Sequence, residues 1–129
     1  MPVGKGPGGV AVDPGSHTVY VANNDDGTVS VIDGSSRTVT ATVPVGKNES
    51  PEGVAVDPGT HTVYVGRLRT AAAHLGNYGG TVSVIDASTR TVTATVSLGK
   101  QPYEVAVDPG THTVYVTNMD NTVSVIESR

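Results

Sequence analysis

The chain has 129 residues and a formal net charge of -4, with 8 Lys and Arg against 12 Asp and Glu. Neutralising phosphates needs clustered cations, and none run together here, so no nucleic-acid partner is expected. No apolar run approaches the roughly 20 residues that cross a bilayer as a helix, and the absence of Cys excludes disulfides, zinc–cysteine sites and thiol nucleophiles.

Phe and Trp are also absent, and the hydrophobic mass is mostly Val, which suits closely packed strands. Met1-Pro2-Val3-Gly4-Lys5-Gly6 lacks the apolar stretch of a signal peptide. Gly4-Lys5-Gly6-Pro7-Gly8-Gly9 is glycine-rich but leads into a strand, so it offers no helix N-terminus to a phosphate. Val10-Ala11-Val12 opens the first strand, A. Asp13-Pro14-Gly15-Ser16-His17 is a hairpin turn, because Pro presets φ, Gly accepts positive φ and Asp can bond the turn backbone. Thr18 to Val21 is strand B, and Thr28 to Ile32 is strand C, after a short loop from Ala22 to Gly27. That loop's acidic run, Asn23-Asn24-Asp25-Asp26-Gly27, lacks the spacing of a calcium loop and reads as a plain turn. A second turn, Asp33-Gly34-Ser35-Ser36, leads into strand D, Arg37 to Val43.

The pattern then recurs. Val54 to Gly59 and Val105 to Gly110 repeat Val10 to Gly15, at spacings of 44 and 51 residues. Thr62 to Val65 and Thr113 to Val116 repeat strand B. Thr81 to Ile85 and Thr122 to Ile126 repeat strand C, and Arg90 to Val96 repeats strand D. No segment reads as a helix; the nearest candidate, Arg67 to Leu75, is short. Four antiparallel strands in a period of 40-odd residues is the period of a propeller blade.

Tyr115-Val116-Thr117-Asn118, with Pro102, Val105-Ala106-Val107-Asp108-Pro109 and Asn121 to Ile126 around it, resembles the repeat of the YVTN propeller family. Tyr20-Val21-Ala22-Asn23 is close to it, and Tyr64-Val65-Gly66-Arg67 has lost the Asn. The resemblance implies an all-β fold of three four-stranded antiparallel propeller blades, the last lacking its outer strand. It also implies interaction or scaffold roles, and an extracellular or cell-surface setting; with no signal peptide on this chain, a cytoplasmic one stays open. The whole chain is then one repeat array, with blade 1 over about 5–46, blade 2 over about 47–99 and blade 3 over about 100–129.

Three blades fall short of the four to eight that usually surround a channel. Pro2-Val3-Gly4 matches the end of a D strand, and the final C strand stops at Glu127-Ser128-Arg129. The expectation is half of a six-bladed ring, closed by a head-to-tail homodimer. A fragment of a longer propeller and an engineered repeat array are the alternatives.

Residues present in every copy are explained by the blade, and those found in one copy are freer to form a site. Tyr20, Tyr64 and Tyr115 read as packing between blades. His17, His61 and His112 follow the A–B turn and read as turn residues bonded locally rather than as metal ligands. Lys5, Lys47 and Lys100 recur in the D–A loops, where they would line one channel mouth. The departures lie on that same face. The B–C loop grows to fifteen residues in the second copy, Gly66 to Gly80, and carries Arg67, Arg69, His74 and Tyr78. In the third D–A loop, Pro102-Tyr103-Glu104 stands where the others have Pro-Gly-Gly and Pro-Glu-Gly. Together these could wall a pocket for a protein or small-molecule ligand.

No nucleophile elbow, phosphate loop or metalloprotease helix is present, and no cofactor or metal is implied. The first reading is a non-catalytic binding or scaffold module. The alternative is a propeller lyase or hydrolase with His74 and Glu104 as acid and base.

Overall fold

The computed structural model describes residues 1–45, 49–69, 80–98 and 101–127, with the backbone alone for 49, 50, 68 and 69. The first sheet holds β1 (Pro7–Asp13), β2 (Thr18–Asn23), β3 (Thr28–Asp33) and β4 (Thr38–Pro44). The second holds β5 (Glu49–Asp57), β6 (Thr62–Arg69), β7 (Thr81–Asp86) and β8 (Thr91–Ser97). The third holds β9 (Pro102–Asp108), β10 (Thr113–Asn118) and β11 (Val123–Glu127). Each sheet is an antiparallel meander in chain order, and no helix occurs among the described residues. The fold is all-β, with three propeller blades, the last three-stranded among the described residues.

Register decides which side chains share a face. Ala11, Tyr20, Val31 and Ala41 stand opposite one another across the first blade. Ala55, Tyr64, Val84 and Ala94 repeat that row in the second, and Ala106, Tyr115 and Val125 in the third. These rows lie on the trailing face of each blade. The leading face carries the alternate residues, such as Val54, Val63, Val65 and Ile85 of blade 2.

The core is two apolar layers, each lying between blades. Tyr20, Val29, Val31 and Val43 of blade 1 pack with Val54, Val63, Val65 and Ile85 of blade 2. Ala55, Tyr64 and Val82 of blade 2 pack with Val105, Val114 and Val116 of blade 3. The outermost faces have no such cover. On the leading face of blade 1, Val10 and Val12 are 65% and 56% exposed. On the trailing face of blade 3, Tyr115 is 44% exposed, against 4% for Tyr20. Tyr115 therefore departs from the expected packing role, because no blade follows it in the described residues.

Two further expectations are corrected. In the A–B turns the left-handed residue is the histidine and not the glycine: φ is 56° at His17, 55° at His61 and 59° at His112. The glycine N–H instead donates to the turn aspartate, at 3.0 Å in Gly15–Asp13, Gly59–Asp57 and Gly110–Asp108. The chain thus spends its Asx bond on the glycine amide and makes its positive-φ step two residues later. The long B–C loop also begins later than Gly66. β6 runs to Arg69, pairing Arg67 with Pro51 and Arg69 with Glu49, so both arginines stand on a strand.

Replacing Tyr20 by Ala should cost about 3–5 kcal/mol of folding stability, the usual range for a buried aromatic. Tyr115→Ala should cost far less in dilute solution. Denaturant unfolding of the two variants, side by side, checks the difference.

Candidate functional site

The loop face is built where the D–A and B–C connections meet. Its first part ties the chain's beginning to blade 1. The Lys5 N–H donates to Asp26 Oδ2 at 2.8 Å, and the Asn24 N–H donates to the Gly6 carbonyl at 2.7 Å. Lys5 is exposed there, while the stub from Pro2 to Gly4 lies outside the strands. Beneath this, Asn23 is fully buried, and its amide donates to Thr28 Oγ1 at 3.1 Å and Ser30 Oγ at 2.9 Å. Asn118 makes the same pair of bonds to Thr122 and Ser124, at 3.1 and 2.9 Å. The Asn of the repeated tetrapeptide is therefore a lock between strands B and C.

Blade 2 has Arg67 in that place. Its side chain is 7% exposed, and its guanidinium donates to the Val45 carbonyl. Ser83, which corresponds to Ser30, keeps a buried hydroxyl with no hydrogen-bond partner. Arg67, expected to be a cation on an exposed loop, is thus a buried group that fastens blade 2 to the end of blade 1.

The second part of the face is acidic. Asn24 reaches from blade 1 to blade 2, its amide donating to Glu52 Oε1 and, at 3.3 Å, to the Pro51 carbonyl. Burial, and then the charge of Glu104, push the Glu52 carboxyl above its ordinary value. Glu104 is exposed, and its N–H donates to Thr117 Oγ1 at 3.1 Å. Tyr103 beside it is 52% exposed. The structure therefore brings Glu104 into the electrostatic range of Glu52. For Arg69 it describes the backbone alone. His74, Tyr78, Lys47 and Lys100 lie outside the described residues, and with them the proposed His74–Glu104 pair and most of the lysine rim.

The opposite face, made by the A–B and C–D turns, holds a contact that the sequence reading did not anticipate. His112 Nδ1 lies 2.6 Å from Asp57 Oδ2, the distance of a strong hydrogen bond between ring N–H and carboxylate. Asp57 belongs to the turn of blade 2 and is fully buried, so the bond crosses the joint to blade 3. The histidine is a link between blades rather than a locally bonded turn residue. At the other joint, the corresponding Asp13 and His61 line one cleft of about 190 Å³ with Tyr20 and Arg90. The signal was the recurrence of Asp and His four residues apart in every copy. Seeing it required knowing that consecutive copies stack. Among the described residues no group of three or more His, Asp and Glu could hold a metal ion.

Solved structures similar in shape are propellers. Over 99% of its length the chain matches 35% of a chain of Kuenenia stuttgartiensis hydrazine synthase, at 25% identity and a TM-score of 0.79. Over 98% of its length it matches 35% of the β-propeller domain of Myceliophteria thermophila Cps50 (Swd1), at 12% identity and a TM-score of 0.76. The chain thus spans about a third of the chains it resembles. No family model and no curated protein matches it.

His112→Ala keeps a residue with a Cβ at φ 59°, so the change isolates the lost bond to buried Asp57. It should lower stability by about 1–3 kcal/mol, measured by denaturant unfolding. Glu52→Gln tests the acidic contact. A carboxyl raised above its ordinary value contributes stability below its unfolded value and loses it as pH rises through its folded value. The Gln variant should therefore be more stable than the parent at neutral pH. It should also gain less on acidification through the carboxylate range, as thermal melts across pH would record.

Proposed function

We propose that the chain is a non-catalytic binding or scaffold module of the YVTN propeller type. In this reading a second copy completes the ring head to tail, and the D–A/B–C loop face takes a protein or small-molecule ligand. The observation that carries the reading is the Asp57–His112 bond, because Asp108 and His17 repeat its two halves on the outer blades, as Asp13 and His61 repeat them across the cleft of the other joint. Asp108 is exposed on blade 3, and His17 is exposed on blade 1.

The apolar faces support the same arrangement. The trailing face of blade 3 repeats the row that blade 2 buries, and the leading face of blade 1 repeats the row that blade 2 presents to blade 1. A heterologous contact of this kind closes into a ring when its rotation permits. On the completed ring, Lys5 and the Tyr103–Glu104 pair would occur twice around one mouth.

Light scattering behind a sizing column should give a species near twice the 13.1 kDa chain mass. Asp108→Asn and His17→Ala should each shift it toward monomer without unfolding the chain. A parent that stays monomeric at every concentration sinks the two-copy ring.

A further inference from the structure

Gly9, Gly53 and Glu104 hold the same position in the three blades, each just before the Val-Ala-Val of its A strand. At the two internal joints that position must be glycine. A Cβ on Gly9 would lie 2.4 Å from the Glu52 carbonyl oxygen and 3.2 Å from Val54 N. A Cβ on Gly53 would lie 2.8 Å from both Glu104 Cα and Val105 N, and 2.9 Å from the Tyr103 carbonyl oxygen. In each case the obstacle is the backbone of the next blade, which cannot rotate away as a flexible side chain could. The A strands therefore approach within a distance that only glycine allows.

Blade 3 carries Glu104 there, with a Cβ and a carboxylate. A second copy seated on blade 3 as blade 3 sits on blade 2 would bring the backbone of its Gly8 to Val10 onto that Cβ. We infer that Glu104 sets the geometry of the contact between copies, holding the loop ends of the A strands apart so that the joint closes only at its turn end, through Asp108 and His17. This inference rests on the two-copy ring proposed above. The partner is a second copy of this chain, because the faces concerned, Tyr115 and Val125 on one side and Val10 and Val12 on the other, repeat those that internal blades bury. The consequence is an association weaker than the internal joints, with a mouth widened beside Tyr103 and Glu104.

The test is the dissociation constant of the full chain, from a dilution series in sedimentation velocity. Glu104→Gly should tighten association by about tenfold or more, the scale of relieving one backbone overlap. Glu104→Ala removes the charge but keeps the Cβ, and it should recover little of that gain. In the converse change, Gly53→Glu should open the internal joint and lower the midpoint of thermal unfolding. If Glu104→Ala tightens association as much as Glu104→Gly, charge and not backbone approach governs the contact, and the inference fails. It fails alone if the parent dimerises, Asp108→Asn weakens the dimer and Glu104→Gly changes nothing. If both the parent and Glu104→Gly stay monomeric at every concentration, the inference and the two-copy ring fall together.

Discussion

Tyr20, closed between blades 1 and 2, represents the contact on which the rest of the structure depends. A four-stranded blade has two faces and no interior of its own. Fully burying a Val side chain is worth about 1.5–3 kcal/mol, and here that gain is made only where one blade lies on the next. Val29, Val63, Val65, Val82, Val114 and Val116 are all fully buried, and every one lies in a joint between blades. Stability in such an array comes from nearest neighbours, so a terminal blade is held on one side only. The exposure of Val10, Val12, Tyr115 and Val125 follows from that geometry, not from weak hydrophobicity of the end blades.

Polar contacts then fix how the layers sit. A stack of Val faces could slide, because apolar burial has no direction. Directional bonds oppose that, at the loop end of the joint between blades 1 and 2 and at the turn end of the joint between blades 2 and 3. At the loop end, Asn24 reaches Glu52 and Arg67 reaches the Val45 carbonyl. At the turn end, His112 reaches Asp57. His112 takes the same left-handed conformation as His17 and His61, so the turn itself sets the backbone and the ring of His112 meets Asp57 across the joint. The same aspartate uses its other oxygen for the Gly59 N–H, so one side chain both shapes its own turn and receives the next blade.

The blade architecture was legible because it rests on period-two alternation and on repeated turn residues, which are local properties. Strand order, the antiparallel pairing and the interlayer Tyr all follow from those. What escaped the sequence reading depends on contacts between copies. His112 looks like a turn residue until a second blade brings Asp57 to it. Arg67 looks like a loop cation because Gly66 interrupts the alternation, yet the ladder continues through Arg69 with Glu49 to Pro51 as its partner. Of the expected site, Tyr103 and Glu104 are found exposed at the loop face, whereas the segment holding His74 and Tyr78 is outside the described residues.

A repeat that copies one blade also copies its joint, so the residues that break the copy show where the joint is used differently. Asn becomes Arg67 in blade 2, and the change leaves Ser83 without the bond that Ser30 makes while adding a tie to Val45. Gly becomes Glu104 in blade 3, at a position where the other two blades allow no Cβ. Neither change disturbs the apolar layers, and both fall at the loop end of the blades. The turn end keeps its Asp, Gly and His in all three copies. These two changes at the loop end leave the spacing of the layers to the repeated Asp-Gly-His turns. The loop end is then free to differ in charge and in how closely neighbouring backbones approach.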